Sequence, residues 1–260
     1  MENANRNKYF VGALTASSAV LLMAMSQAYA SQLIGAPASW TKKGDVTVSV
    51  EYAKADTEYD RLMPWEEVPD TANYAVSSSA ISFKAAYGVM DGVAISVHYG
   101  DAEGDIDMYS NNGSLQWVSN GGDGSRAGFG ADIVVFKNDN WTLGINGNYS
   151  KVKYDSPTVR LGGGGSGNEI VSIDEVRLGI GAGYNINADL MVYGGYVAIN
   201  ASGDRFIEGY GGNRNALEES NMSGGYVGVA YKLGPVLFGL EAQYSGSDND
   251  VLGGSIGYKF

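Results

Sequence analysis

The chain ends in the stretch Gly253-Gly254-Ser255-Ile256-Gly257-Tyr258-Lys259-Phe260. Gly254, Ile256, Tyr258 and Phe260 share one face of this stretch, and Leu252, just before it, continues the same face. A period of two predicts a β-strand. At the free edge of a sheet in water such a strand would promote aggregation, whereas a closed barrel in a membrane has no free edge. The stretch therefore favours a closed barrel.

The end of this strand also carries a resemblance to a known group of proteins. A final strand with the pattern Tyr-x-Phe, here Tyr258-Lys259-Phe260, resembles the last strand of bacterial outer-membrane β-barrel proteins. The resemblance implies that the barrel-assembly machinery recognises the C-terminal strand through Phe260. It also implies an environment of outer-membrane lipid and lipopolysaccharide in the cell outer membrane of a Gram-negative bacterium.

The N-terminus has the features of an export signal. Arg6 and Lys8 precede an apolar run over residues 10–24, and Ala28-Tyr29-Ala30 follows. This order predicts a secretory signal peptide over residues 1–30 that is cleaved after Ala30. A retained transmembrane anchor fits less well, because the apolar core is short and interrupted by serine.

Composition narrows the possible functions. The net charge is −12, which argues against nucleic acid as a partner because nucleic-acid binding requires a basic surface. The chain has no cysteine, so disulfides, thiol nucleophiles and thiolate metal sites are excluded. With 38 glycines and 18 tyrosines, an exported acidic chain of this length fits a single transmembrane β-barrel.

Alternating apolar residues predict ten strands. They cover residues 46–53, 81–89, 93–100, 127–135, 141–149, 176–184, 190–196, 227–233, 236–244 and 251–260. Short turns alternate with long polar loops, predicted at residues 56–74, 101–125, 155–172, 200–221 and 245–250. The pattern predicts an all-β, antiparallel, up-and-down transmembrane barrel of about ten strands over residues 45–260. Eight or twelve strands are also compatible. Residues 31–44 are predicted to be a short periplasmic lead-in.

Aromatic residues on the apolar faces form two groups. One group lies near the short turns and contains Tyr87, Trp141, Tyr184, Tyr231, Tyr258 and Phe260. The other lies near the long loops and contains Tyr52, Tyr99, Tyr149, Tyr196 and Tyr244. Two aromatic belts are expected at the two interfaces of a membrane. A soluble β-sandwich would not sort its aromatic residues in this way.

The opposite faces of the strands are expected to line the lumen. Their charged and titratable residues are candidates for a constriction: Glu51, Lys84, His98, Asp132, Glu175, Arg177 and Glu241. Pairing of Val89 with Val93 across the first short turn places Lys84 opposite His98. These side chains would either close the lumen as a structural network or narrow a pore, and the sequence leaves both alternatives open.

Two functions follow from this arrangement. The first is a narrow porin-like channel for small solutes with a charged lumen. The alternative is a non-channel structural or surface-recognition barrel, an adhesin for example, that binds an extracellular ligand through loops bearing Trp65, Tyr109, Trp117 and Tyr210.

Catalysis is not expected. The single histidine, His98, lies deep in the barrel beside Ser96, and the chain resembles the omptin proteases only in its number of strands. The acidic run over residues 101–107 departs from the EF-hand spacing, so neither a metal nor a cofactor is predicted.

Overall fold

The computed structural model describes residues 33–62, 73–109, 115–161, 166–207, 214–218, 222–245 and 249–260. The predicted signal peptide lies outside these ranges. The described residues contain no helix long and apolar enough to cross a membrane. They form one antiparallel sheet of the strands β1 (Val46–Leu62), β2 (Asn73–Met90), β3 (Val93–Tyr109), β4 (Leu115–Lys137), β5 (Trp141–Leu161), β6 (Ser166–Asn185), β7 (Leu190–Ile207), β8 (Arg214–Glu218), β9 (Met222–Leu233), β10 (Val236–Tyr244) and β11 (Asn249–Lys259).

The sheet closes on itself. β1 pairs with β11 from Thr47–Lys259 to Thr57–Asn249, and β7 pairs directly with β9. The closed sheet therefore contains ten strands, β1 to β7 and β9 to β11, while the short β8 lies between β7 and β1. This confirms the predicted antiparallel barrel and its strand number. The predicted pairing of Lys84 with His98 is also confirmed. The predicted pairing of Val89 with Val93 is wrong, because a β-bulge between Gly88 and Met90 makes Met90 the partner of Val93.

The outside of the barrel is apolar between two aromatic belts. Side chains such as Ile81, Leu178 and Ile180 are more than half exposed, which is unfavourable in water and expected in lipid. At the short-turn end all six predicted belt residues are exposed, and the rings of Trp141 and Tyr184 are 5.0 Å apart. At the other end Tyr99, Tyr196 and Tyr244 are exposed, and Tyr52 and Tyr149 are half-buried.

Parts of all five predicted long loops are strand, so the predicted loops are too long and the predicted strands too short. β3 continues to Tyr109, β4 begins at Leu115, β5 continues to Leu161 and β6 begins at Ser166. Of the predicted loop aromatics, Tyr109 and Trp117 lie in strands β3 and β4, whereas Trp65 and Tyr210 lie outside the described residues.

A change of solvent explains this error. Beyond the outer belt the outward side chains become exposed and charged, as at Asp101, Glu103, Lys151, Lys153 and Asp204. Strand pairing uses backbone groups, so it continues where the outer face passes from lipid into water. The switch to polar residues marks the membrane surface and not the end of each strand.

The extended strands form a narrower barrel at this end. β8 pairs with β7 at Ser202–Glu218 and with β1 at Asp60–Glu218, beyond the points where β9, β10 and β11 end. One strand thus replaces three, so the described strands form a ten-stranded barrel in the membrane and an eight-stranded barrel outside it. We call the eight-stranded part the outer barrel.

Cysteine labelling tests this orientation, because the native chain has no cysteine. Asp101→Cys should react with a membrane-impermeant maleimide on intact cells, since residue 101 is exposed just beyond the outer belt. Phe129→Cys should be protected by lipid, because residue 129 lies within the apolar band. Asn138→Cys, in a short turn, should react only after permeabilisation. Labelling at residue 138 on intact cells would invert the topology.

Candidate functional site: the closed lumen

The N-terminal end of the described chain enters the barrel. Residues 33–40, here called the inner segment, lie within the lumen, and Trp40 is near the short turns, where its carbonyl accepts a hydrogen bond from Lys259 Nζ at 2.9 Å. Lys137 Nζ donates to the Ser39 carbonyl at 2.6 Å. The sequence predicts only a periplasmic lead-in for residues 31–44, and the structure adds that part of this stretch fills the lumen.

The inner end of this segment is packed between barrel side chains. Ile34 is 1% exposed and belongs to a core cluster with residues of two adjacent strands, Met191, Tyr193, Val197, Ile199, Met222, Tyr226 and Ala230. Leu33 packs with Ala53, Ala55 and Val251, which lie on β1 and β11. Burial of an aliphatic side chain of this size contributes about 1.5–3 kcal/mol, so these contacts hold the segment in place.

Glu241 binds the backbone of the inner segment. Its Oε1 accepts a hydrogen bond from Ile34 N at 2.8 Å, and its Oε2 accepts one from Gly35 N at 2.7 Å. Gly35 has a φ of +82°, a conformation that glycine adopts without strain. Consecutive backbone N–H groups converging on one anion form an anion-binding nest. The carboxylate is 2% exposed and also interacts with the Tyr193 hydroxyl.

A row of polar contacts crosses the lumen from Glu241. Gln243 Nε2 donates to Glu241 Oε1 at 2.7 Å, and Gln243 Oε1 accepts from Arg177 Nη1 at 2.6 Å. Arg177 donates to both carboxylate oxygens of Glu175, at 2.7 and 3.3 Å. Arg126 Nη2 lies 3.7 Å from Glu175 Oε1. We call these five residues the charge row, and it links β4, β6 and β10.

The other predicted lumen residues form a second group. Lys84 Nζ is 3.2 Å from Glu51 Oε1, with both side chains only 13–14% exposed, and Asp132 interacts electrostatically with Lys84. His98 is 4% exposed. A cavity of about 10 Å³ between this group and the charge row is lined by Leu33, Glu51, Ala53, Ala80, Ser82, His98 and Arg126, which is room for about one water molecule.

Glycines on the inner wall leave space for the side chains of Asn146 and Asn148, which point into the lumen. A Cβ added to Gly179 would lie 2.2 Å from Asn146 Oδ1, and one added to Gly130 would lie 2.0 Å from Asn148 Oδ1.

On the extracellular side of the charge row, a group of apolar residues, here called the apolar layer, is buried inside the barrel: Val152, Tyr154, Val171 and Ile173. The described part of the lumen is therefore filled by the inner segment and the charge row, and beyond them the apolar layer continues the buried lining on β5 and β6.

The seven candidate residues all lie in the charge row or in the group around Lys84. Two parts of the site, Arg126 and the inner segment, were not predicted from the sequence. Arg126 lies between the predicted loop ending at residue 125 and the predicted strand beginning at residue 127, although it continues the alternation of Asp132, Gly130 and Gly128 on the inner face of β4. The inner segment has no period of two, and no local signal marks it as lumenal. Among the described residues, no group of three or more His, Asp and Glu side chains is arranged to hold a metal ion.

Comparison with known proteins identifies the fold. No protein-family model and no curated protein sequence matches the chain. The structure is similar to that of the outer-membrane protease OmpT from Escherichia coli, with a TM-score of 0.50 and 11% sequence identity over 83% of this chain and 97% of the protease. OprG from Pseudomonas aeruginosa has a TM-score of 0.47 and 11% identity over 85% of this chain and 97% of OprG.

The attachment invasion locus protein Ail of Yersinia pestis has a TM-score of 0.37 and 13% identity over 84% of this chain and 99% of Ail. At these identities the similarities concern the fold alone. The chain has the fold of the bacterial outer-membrane β-barrel proteins, and its exposed apolar band is that of a membrane-spanning barrel. Within that class it is a ten-stranded barrel whose lumen is occupied by its own N-terminal segment.

Proposed function

We propose that this protein is a non-channel barrel of the outer membrane that presents its outer barrel at the cell surface for recognition. The observation that carries this proposal is that the inner segment and the charge row fill the described part of the lumen. A porin-like channel requires a continuous polar path, and the almost complete burial of Ile34, Arg177 and Glu241 inside the barrel argues against one. The extension of β3 to β6 beyond the outer belt supplies a rigid surface on which loops can be displayed.

A gated, narrow channel is the second candidate function. It is favoured by the inner segment, which belongs to no strand and is held by side-chain contacts and a few hydrogen bonds. If the segment left the lumen, the inner half of the barrel would be lined by polar groups such as Glu241, Glu51 and Lys84. Small solutes would be the cargo of such a channel.

Processing and membrane insertion are part of the same proposal. We propose that the chain is exported by its signal peptide, which is cleaved after Ala30, and is inserted through recognition of the strand ending at Phe260. Outer-membrane lipid and lipopolysaccharide surround the apolar band. The barrel acts without catalysis, a proposal supported by the burial of His98 inside a filled lumen.

Conductance in planar bilayers separates the two candidate functions. The wild-type protein and the Ile34→Asp variant should both show no discrete channel openings. The variant places a carboxylate beside Glu241 and expels the inner segment, but the charge row still crosses the lumen. Ile186→Asp, in an exposed short turn, is the matched control. Stepwise openings in Ile34→Asp alone would reject the proposal in favour of a gated channel, and openings in the wild type would indicate an open pore.

A further inference from the structure

We propose that the site now filled by Ile34 and Gly35 is a peptide-binding site, for which the inner segment is an internal ligand. The ligand class is a short peptide in which a residue with a branched aliphatic side chain is followed by a residue other than proline. Both residues can then donate their backbone N–H groups to Glu241. This inference goes beyond the proposed surface function, because it concerns the half of the lumen that opens toward the short turns.

The polar half of the site is built for backbone donors. Glu241 is 2% exposed, and Gln243 and Tyr193 hold its carboxylate from the barrel side. Its remaining acceptor positions receive two N–H groups from consecutive residues of the segment, at 2.8 and 2.7 Å. A buried carboxylate without these donors is costly. The site therefore requires a ligand that presents two adjacent N–H groups, which is the pattern of a peptide backbone.

The apolar half selects the side chain. Met191, Tyr193, Val197 and Tyr226 form one cluster with Ile34, and the rings of Tyr193 and Tyr226 are 6.4 Å apart. A Cβ on Gly181 would lie 2.0 Å from the Tyr226 hydroxyl, so this glycine is needed for the tyrosine to reach into the lumen. The resulting pocket excludes water from Ile34 almost completely and fits one aliphatic side chain.

Within the described residues, the pocket opens toward the short turns. The inner segment leaves it past Trp40 in that direction, and the charge row lies across its other side. Release of the segment would therefore expose a blind pocket to the periplasm and not a conduit. A blind pocket with a carboxylate and an aliphatic cleft binds a ligand instead of conducting one.

Peptide binding to the full-length protein in detergent micelles tests the inference. Gly35→Pro should release the inner segment, because proline lacks the N–H that Glu241 binds and cannot adopt a φ of +82°. The probe is acetyl-Leu-Ile-Gly-Ala-Pro-Ala, the sequence of residues 33–38, with fluorescein at its C-terminal end, the end that faces the opening. The control probe has proline in place of glycine. Binding is measured by fluorescence anisotropy.

The Gly35→Pro variant should bind the glycine probe at least about tenfold more tightly than the wild type does, and at least about tenfold more tightly than it binds the proline probe. Adding Glu241→Gln should weaken binding by about tenfold, as expected for loss of a hydrogen bond to a charged group. Release of the segment is verified by the rate at which maleimide labels Ala36→Cys, and Ile34→Asp provides a second released variant.

Fast labelling without probe binding, or equal binding of both probes, would overturn the inference. Slow labelling in both variants would overturn it as well, because the segment would then be a permanent part of the barrel. Binding does not depend on conductance or on the outer barrel. Failure here therefore leaves the proposed surface function intact, and channel openings would not remove the peptide site.

Discussion

Replacing Arg177 by methionine is expected to lower the free energy of unfolding of the barrel by about 3–5 kcal/mol, the usual cost of removing one partner from a buried ion pair. The Arg177 side chain is 1% exposed and donates to Glu175 and Gln243. Methionine fills much of the same volume but donates no hydrogen bond. Glu175 then keeps weaker contacts with Arg126, 3.7 Å away, and with Ser150, 3.5 Å away.

Urea unfolding in detergent micelles, followed by tryptophan fluorescence, measures this loss. Lys151→Met is the control, because it also removes a cation that is paired with a carboxylate, Asp174 at 3.0 Å, but in an exposed position. An exposed pair is expected to contribute less than about 1 kcal/mol. The double variant Glu175→Gln with Arg177→Met should recover only part of the loss, since it removes the carboxylate that Arg177→Met leaves without its main cation but also takes the anion from the buried Arg126. Equal stability of the Arg177 and Lys151 variants would contradict the buried charge row.

Lys84→Ala is expected to destabilise the barrel by a smaller amount, about 1–3 kcal/mol, because some water reaches this ion pair. The variant leaves Glu51 and Asp132 without the cation that faces both of them. The same urea titration measures the effect, and Lys84→Ala combined with Glu51→Gln should be more stable than Lys84→Ala alone. A Lys84→Ala variant as stable as the wild type would place Lys84 on the outer face, one residue out of register.

Bilayer conductance of Lys84→Ala should stay as low as that of the wild type. The inner segment and the charge row still fill the described part of the lumen when Lys84 is shortened. A rise in conductance with this variant would mean that Lys84 itself seals an otherwise open path. The conductance and unfolding measurements together therefore distinguish a side chain that stabilises a filled lumen from one that blocks a pore.

The strand pattern and the faces of the strands were predictable because they depend on local alternation. Lipid selects an apolar residue at every second position of a strand that crosses the membrane, so Leu252, Ile256 and Tyr258 already show which face is outside. The pairing of Lys84 with His98 was predictable because a short turn limits the possible registers of the two strands that it joins, whereas the β-bulge between Gly88 and Met90 was not predicted. The aromatic belts were predictable for the same reason, because the number of residues between each aromatic residue and its turn determines its depth in the membrane.

The continuation of the strands into the outer barrel was not predictable from that pattern. Outside the membrane both faces of a strand can be polar, so the alternation weakens although backbone pairing continues. β8 shows this most clearly, because Arg214–Glu218 has no strand-like alternation and becomes a strand only between β7 and β1. Arg126 was missed for the same reason, since it lies where the pattern begins to weaken.

By itself, the sequence determined the class of the molecule: an antiparallel barrel of about ten strands with an apolar outside and charged groups inside. These properties follow from period, composition and turn length, which are read residue by residue. Only the tertiary structure decided that the described part of the lumen is filled. Glu241 meets Ile34 and Gly35 across more than 200 positions of the chain, and Arg177 meets Gln243 across 66. Contacts between such distant residues arise from barrel closure, which brings together side chains that no local pattern connects.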